Sequence, residues 1–375
     1  MRRPADAVRD RRLIAVFAAI AMLASSVVGA HLALGDLPAV PAITRDVPLG
    51  PDGTLSVQFV GDTYLGDKTQ PLMDQWGYDW PLALIRPALT ADVVVANFEA
   101  PMSPLTQPWN PAKKFSHSAR PEVAGALVRA GIDAISLGNN HVFDVGPVGL
   151  ADTMRHAEAA GLATFGAGPD LARAEQPLLL RSEIGTIGIV SIGESFGFAA
   201  DADAAGTVVL SPETVQRGAD LARSAGADWV IAAVQWGDNY TPINNAQRHW
   251  APQFANAGYD MVIGAGAHIA QPIEFIGSMP VFYSTGNFVF GTNGRYRQFG
   301  VPGYGLVVSL ELSRGSGTRL SVRCVVTDNS VVQFQPRLCT PAQAQAFLPT
   351  LNPGMVVDGD VGTLPCTCFP RRDPP

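Results

Sequence analysis

The chain has 375 residues, 47% of them hydrophobic, with 38 glycines and 30 prolines; that composition excludes disorder and predicts one large, loop-rich domain with additions. A formal net charge of −7 excludes nucleic acid as a partner held by bulk electrostatics, so any acidic substrate needs a local positive site.

The N-terminus reads "MRRPADAVRDRR" and then "LIAVFAAIAMLASSVVGAHLALG", an apolar run with no Asp, Glu, Lys or Arg. Residues 1–35 therefore read as an N-terminal signal peptide or membrane anchor. Val28, Gly29 and Ala30 suit cleavage, yet the run is also long enough to span a bilayer uncleaved. Arginines ahead of the run hold that end inside, so the expected location is extracytoplasmic, membrane-anchored or secreted. Residues 36–51 are Pro-rich and non-periodic, which predicts a tether.

Short β-branched runs then alternate with Ala-rich amphipathic segments. "LSVQFVG", "VVVANF", "DAISL", "IGIVSIG", "DWVIAAVQW", "DMVIGAG" and "MPVFYSTGN" read as strands. Between them "RPEVAGALVRAG", "GPVGLADTMRHAEAAG", "SPETVQRGADLARSAG" and "NNAQRHWAPQFANAG" read as helices that end on glycine. The expected fold class is α/β for residues 52–312. Residues 313–375 are expected to add antiparallel strands, among them "SVVQFQP", and a disulfide-linked tail. Cys366 and Cys368 are too close in sequence for an unstrained bridge, so each is expected to tie to Cys324 or Cys339, with a bridge between Cys324 and Cys339 themselves, or a Cys-based metal site, as the alternatives.

Ligands of α/β sheets gather at the carboxyl ends of strands. Here those ends carry Asp62, Asn97 with Glu99, Asn140 with His141, Gln235 with Asp238, His268, and Asn287. Packing alone gives no reason for that repetition. Asp62, Glu99, Asn140 and His268 are donors of the kind that hold Mn, Zn or Fe, with Glu99 able to bridge two ions. His141 is then placed as an acid, with Asp144 orienting its imidazole. Lys113, Lys114, Arg295 and Arg297, with Asn287, are candidate substrate contacts.

"GDTYLGD", "ADVVVANFEAPMS", "ISLGNNHVFDVG" and "PVFYSTGNFVFG" together resemble motifs of the CapA (PGA_cap) family of capsule and poly-γ-glutamate synthesis proteins, over roughly Leu55 to Gly291. The resemblance implies a calcineurin-like metallophosphoesterase-type fold, a layered sheet with flanking helices. It also implies metal-ligand roles for Asp62, Glu99, Asn140 and His268, and an acid role for His141. Two departures stand out: "QWGDN" puts Gln235 where the family commonly has a ligating His, and "GAGAH" puts Gly266 at another. One tight divalent ion is expected, and a second only if Asn140, Gln235 and Asp238 hold it weakly. The functional expectation is a metal-dependent hydrolase or transferase acting on an anionic surface polymer or its precursor, with other capsule-synthesis subunits as expected partners. The alternative is a non-catalytic binding or assembly subunit with a degenerate metal site.

Overall fold

The computed structural model describes residues 43 to 369, apart from 293, 314–316 and 367. The expected signal or anchor, and the first part of the expected tether, lie outside the described residues. Among the described residues no helix is long and apolar enough to cross a membrane.

Period-2 alternation along the strands splits the apolar residues between two faces, and this split builds the layers. One sheet contains β1 (Ile43–Asp46), β6 (Leu178–Ser182), β7 (Gly185–Gly193), β8 (Trp229–Gln235), β9 (Met261–Ala265), β10 (Ile273–Ile276) and β11 (Met279–Phe282), in the order β1-β6-β7-β8-β9-β11-β10. The other contains β2 (Thr54–Thr63), β3 (Val93–Phe98), β4 (Ala134–Ser136), β5 (Ala163–Phe165), β13 (Tyr304–Ser313), β14 (Gly317–Val326), β15 (Val356–Asp358) and β16 (Val361–Leu364), in the order β15-β16-β14-β13-β2-β3-β4-β5. A short β12 (Asn287–Val289) also pairs with β2.

Val57, Phe59, Val95, Ile187, Ile231, Ile263 and Leu310 face inward and form one core between the sheets. Their neighbours Val94, Ala96 and Ile135 face outward against α2 (Val123–Arg129) and α3 (Gly146–Ala160), while α1 (Gln70–Trp76) adds Met73 to the same cluster. On the opposite side Val230, Ala232 and Val262 pack under α4 (Pro212–Ser224) and α5 (Asn245–Asn256). Ser211 and Asn244 cap α4 and α5 with reciprocal capping boxes, as Ser-Pro and Asn-Asn before apolar periodicity predict. The result is the layered α/β fold expected, helices outside two facing sheets.

Three expectations change. Residues 43–46 of the expected tether form an edge strand, with Ile43 opposite Leu178 in parallel register. The boundary expected near residue 312 falls inside a hairpin: β14 pairs along the whole of β13, and β13 along β2, so the C-terminal strands are integral to the sheet. "SVVQFQP" is not a strand. Asp328 caps a helical turn at Asn329–Val332, and Gln333 and Phe334 take positive φ, so the chain reverses before it can extend. The Cys339 N–H donates to Cys324 O at 2.8 Å and the two Cα atoms lie 5.3 Å apart, which suits one of the pairings left open, Cys324 with Cys339; the Cα atoms of Cys366 and Cys368 lie 5.1 Å apart.

Candidate metal centre and its cleft

The carboxyl ends of β2, β3, β8 and β9 converge where the two sheets meet. Gly61 makes the closest approach: a Cβ there would lie 1.8 Å from Gly286 O, and the next residue, Asp62, donates its N–H to that oxygen at 2.9 Å. Only a glycine lets β2 run this close to the segment before β12. Asp62 is thereby brought to His268, whose Nδ1 lies 3.0 Å from Asp62 Oδ2 and 2.9 Å from Asn287 Oδ1. Asp62, Glu99 and His268 are buried, and each offers a ligand atom within 4.8 Å of the others.

Amides hold the carboxylates from the other side. Asn97 Nδ2 lies 2.9 Å from Asp62 Oδ1, 3.0 Å from Glu99 Oε1 and 2.9 Å from Gln235 Oε1. Gln235 Nε2 donates to Glu99 Oε1 at 2.8 Å and to Asn140 Oδ1 at 3.0 Å. The Gly266 N–H reaches both Asp62 oxygens, at 3.1 and 3.2 Å. Glu99 Oε2, by contrast, is buried with no hydrogen-bond partner among the described residues.

That orphaned oxygen tests whether a metal fits. A buried charged acceptor left unsatisfied costs about 1–3 kcal/mol or more, and a cation bound among Asp62, Glu99 and His268 removes the penalty. The residues present fit one ion. They do not fit a second at Gln235 and Gly266: the Gln235 amide is spent on Glu99 and Asn140, and Gly266 sits at φ +99°, where a Cβ would meet Gln235 Nε2 at 2.8 Å. Without an ion, burial and the neighbouring Asp62 push the Glu99 carboxyl up to about 8. For His268 burial acts downward, but hydrogen bonding to Asp62 and the nearby Glu99 outweigh it and raise the imidazole to about 9.

Beside this cluster His141 Nδ1 lies 2.6 Å from Asp144 Oδ2. Burial, partly offset by Asp144, lowers the His141 imidazole from its ordinary value. The Lys113 ammonium forms an ion pair with Asp144 and also reaches Asn140 O. Its charge is therefore committed to holding the His141–Asp144 turn, and the expected substrate contact at Lys113 is not free. Lys114 is exposed, with its ammonium 5.3 Å over the Phe115 ring, and Arg297 is exposed on α6 (Arg295–Phe299). Arg295, its guanidinium carbon 5.3 Å from the Phe115 ring centroid, lines a pocket with Lys68, Tyr64, Asn239, Tyr240 and His268. Asn287 is fully buried: its Oδ1 accepts from His268 Nδ1 at 2.9 Å and its Nδ2 donates to Tyr296 Oη at 2.8 Å, so both ends of the amide are committed to orienting the imidazole.

Two residues of the site carry roles the sequence did not suggest. Asn97 was visible only as one strand end among several, and its place as the hub between both carboxylates and Gln235 depends on β3 and β8 lying in different sheets. His117 lies in a loop and has no motif around it. Its ring stacks on Tyr64 at 4.2 Å and lies tilted against His141 at 4.0 Å, and its backbone N–H donates to Asp144 Oδ2 at 2.6 Å. Phe290 completes the bridge between the two halves, 5.8 Å from His117 and 4.6 Å from His268 by ring centroid.

The chain has relatives among known proteins. The profile of the bacterial capsule synthesis protein family PGA_cap matches residues 56–292. The PGA biosynthesis protein CapA of Bacillus subtilis is 30% identical over 255 residues, 66% of this chain and 67% of that protein. The capsule biosynthesis protein CapA of Bacillus anthracis is 28% identical over 247 residues, 63% of this chain and 60% of that protein. The match to the second relative thus spans under two thirds of its length. Among solved structures, NAD nucleotidase of Haemophilus influenzae overlays with a TM-score of 0.43 and 10% identity, over 80% of this chain and 55% of that one.

Proposed function

The chain belongs to the PGA_cap family of bacterial capsule synthesis proteins, and we propose that it is an extracytoplasmic, metal-dependent hydrolase or transferase acting on an anionic surface polymer or its precursor. The observation that carries the reading is the orphaned Glu99 Oε2 inside the Asp62–Glu99–His268 cluster, directly beside a buried His141–Asp144 pair. A divalent transition metal held there supplies Lewis-acid polarisation of an acyl or ester centre and lowers the pKa of bound water.

The chain's own residues do the rest. Asp144 holds His141 through Nδ1, which leaves Nε2 to exchange a proton with a leaving or attacking oxygen. Lys113 pins Asp144, and His117 packs the imidazole into one orientation. Asn287 does the same for His268 through a chain that runs to Tyr296 Oη and on to Thr327 Oγ1 at 2.7 Å. Lys68 and Arg295, at the mouth beside His268, give an acidic chain the local positive charge that the net charge of −7 withholds elsewhere. The Bacillus subtilis relative is named a PGA biosynthesis protein, which supports poly-γ-glutamate as that chain.

A second reading has its own observation. Asn97 and Gln235 satisfy the carboxylates with amide N–H groups where a two-ion site would place metal, which suits a binding or assembly subunit that retains one structural ion. Turnover separates the two. Purified protein reconstituted with Mn, Zn or Fe is incubated with poly-γ-glutamate and with phosphate esters, and His141→Ala is expected to keep its metal while losing roughly 10²-fold in rate. No cleavage or transfer by the loaded wild type would leave the binding subunit standing.

A further inference from the structure

One wall of the cleft is built from aromatic rings, Trp109 exposed and Phe143, Phe196 and Phe198 half-buried. Trp109 is 63% exposed, yet it is not loose. Its backbone N–H donates to Asp144 O at 2.8 Å, and its indole lies over Gly146, where a Cβ would come within 2.6 Å of the ring. One face of the indole is seated and the other is open. Phe143 meets it edge-on at 6.4 Å and stacks on Phe198 at 5.1 Å, and Phe198 lies 6.0 Å from Phe196. With Asn110 and Asn140 these rings enclose a cleft of about 610 Å³. That size lies within the roughly 300–1,000 Å³ of ligand pockets.

The chemistry of the wall selects its occupant. Lys113 also lines the cleft, but its ammonium is engaged by Asp144, so an anionic chain finds no free charge from it. A hydrocarbon tail would match the rings but leave the amides of Asn110 and Asn140 desolvated against it. A neutral ring with apolar C–H faces and hydroxyl edges satisfies both, the faces against the aromatics and the edges toward the amides. We propose that this cleft is a subsite for a neutral pyranose ring of a glycan, reaching the candidate metal centre through Phe143, which stands between His141 and Asp144 in the same turn.

The proposal requires neither metal nor turnover, so its failure would leave the reading above untouched. The full chain is titrated with β-1,4-linked oligomers of N-acetylglucosamine and of glucose, read by saturation-transfer NMR and tryptophan fluorescence, with and without chelator. Saturable binding is expected for at least one oligomer, weakened about tenfold by Trp109→Ala and by Phe196→Ala, the equivalent of one well-placed ring contact. Trp109→Phe keeps an aromatic face and is expected to retain binding, which separates loss of the platform from loss of the fold; unchanged melting temperatures check the same point. Absence of binding by both oligomers at millimolar concentration, or binding indifferent to Trp109→Ala and Phe196→Ala, would overturn it. So would an alkyl-chain detergent that competes for the cleft and loses affinity in those variants while the oligomers do not bind, a result that would assign the wall to lipid.

Discussion

Single residues decide whether this site holds an ion. In the metal-free protein Glu99 is raised to about 8 from 4.5 and His268 to about 9 from 6.5, so over these windows the folded chain binds more protons than the unfolded one. For both groups the sign is the same: their contribution to stability is full below the unfolded value and is lost as pH rises through the folded value. The melting temperature in chelator is therefore expected to fall between pH 6.5 and 9, and added Mn or Zn to restore it, because the ion takes the place of those protons. A chelated protein whose stability is flat or rising across that range would contradict the assignment. Asp62, Glu99 and His268 were legible in the sequence because strand ends concentrate ligands, and Gln235 and Gly266 because they break a motif. What stayed hidden was the reason these substitutions suit each other: a side chain at Gly266 would strike the Gln235 amide, a contact between two strands that no local pattern records.

At the scale of elements, alternation and caps predicted the strands and helices of the two layers, and the structure departs from them where a local pattern lost to tertiary pairing. Ile43–Asp46 reads as linker because proline surrounds it, yet β6 offers an open edge and captures it. "SVVQFQP" has β-branched residues but follows an Asp that caps a turn, and the cap wins. The element contact that matters most to the site is β2 against the segment before β12. Gly61→Ala places a methyl 1.8 Å from Gly286 O, backbone that cannot swing aside, and is expected to cost about 3 kcal/mol or more and to loosen metal together with fold. Chemical denaturation of the variant measures this; a loss under about 0.5 kcal/mol would show that the two segments separate easily.

For the molecule as a whole, the family resemblance implied a layered sheet but not which sheet carries which ligand. Asp62 and Glu99 come from one sheet, Gln235 and His268 from the other, so the centre exists only when the two pack together. The proposed extracytoplasmic location is tested by fusing alkaline phosphatase to the C-terminus of the full chain: activity in cells is expected, and an inactive fusion alongside an active cytoplasmic reporter would contradict it. The central claim is that Asp62, Glu99 and His268 hold one transition metal and that the amides of Asn97 and Gln235 take the place of a second. Metal analysis of the purified protein by mass spectrometry, after reconstitution with Mn, Zn and Fe in turn, tests it most directly. The account predicts close to one tightly held ion per chain, lost in His268→Ala; two tight ions, or none with any of the three metals, would contradict it.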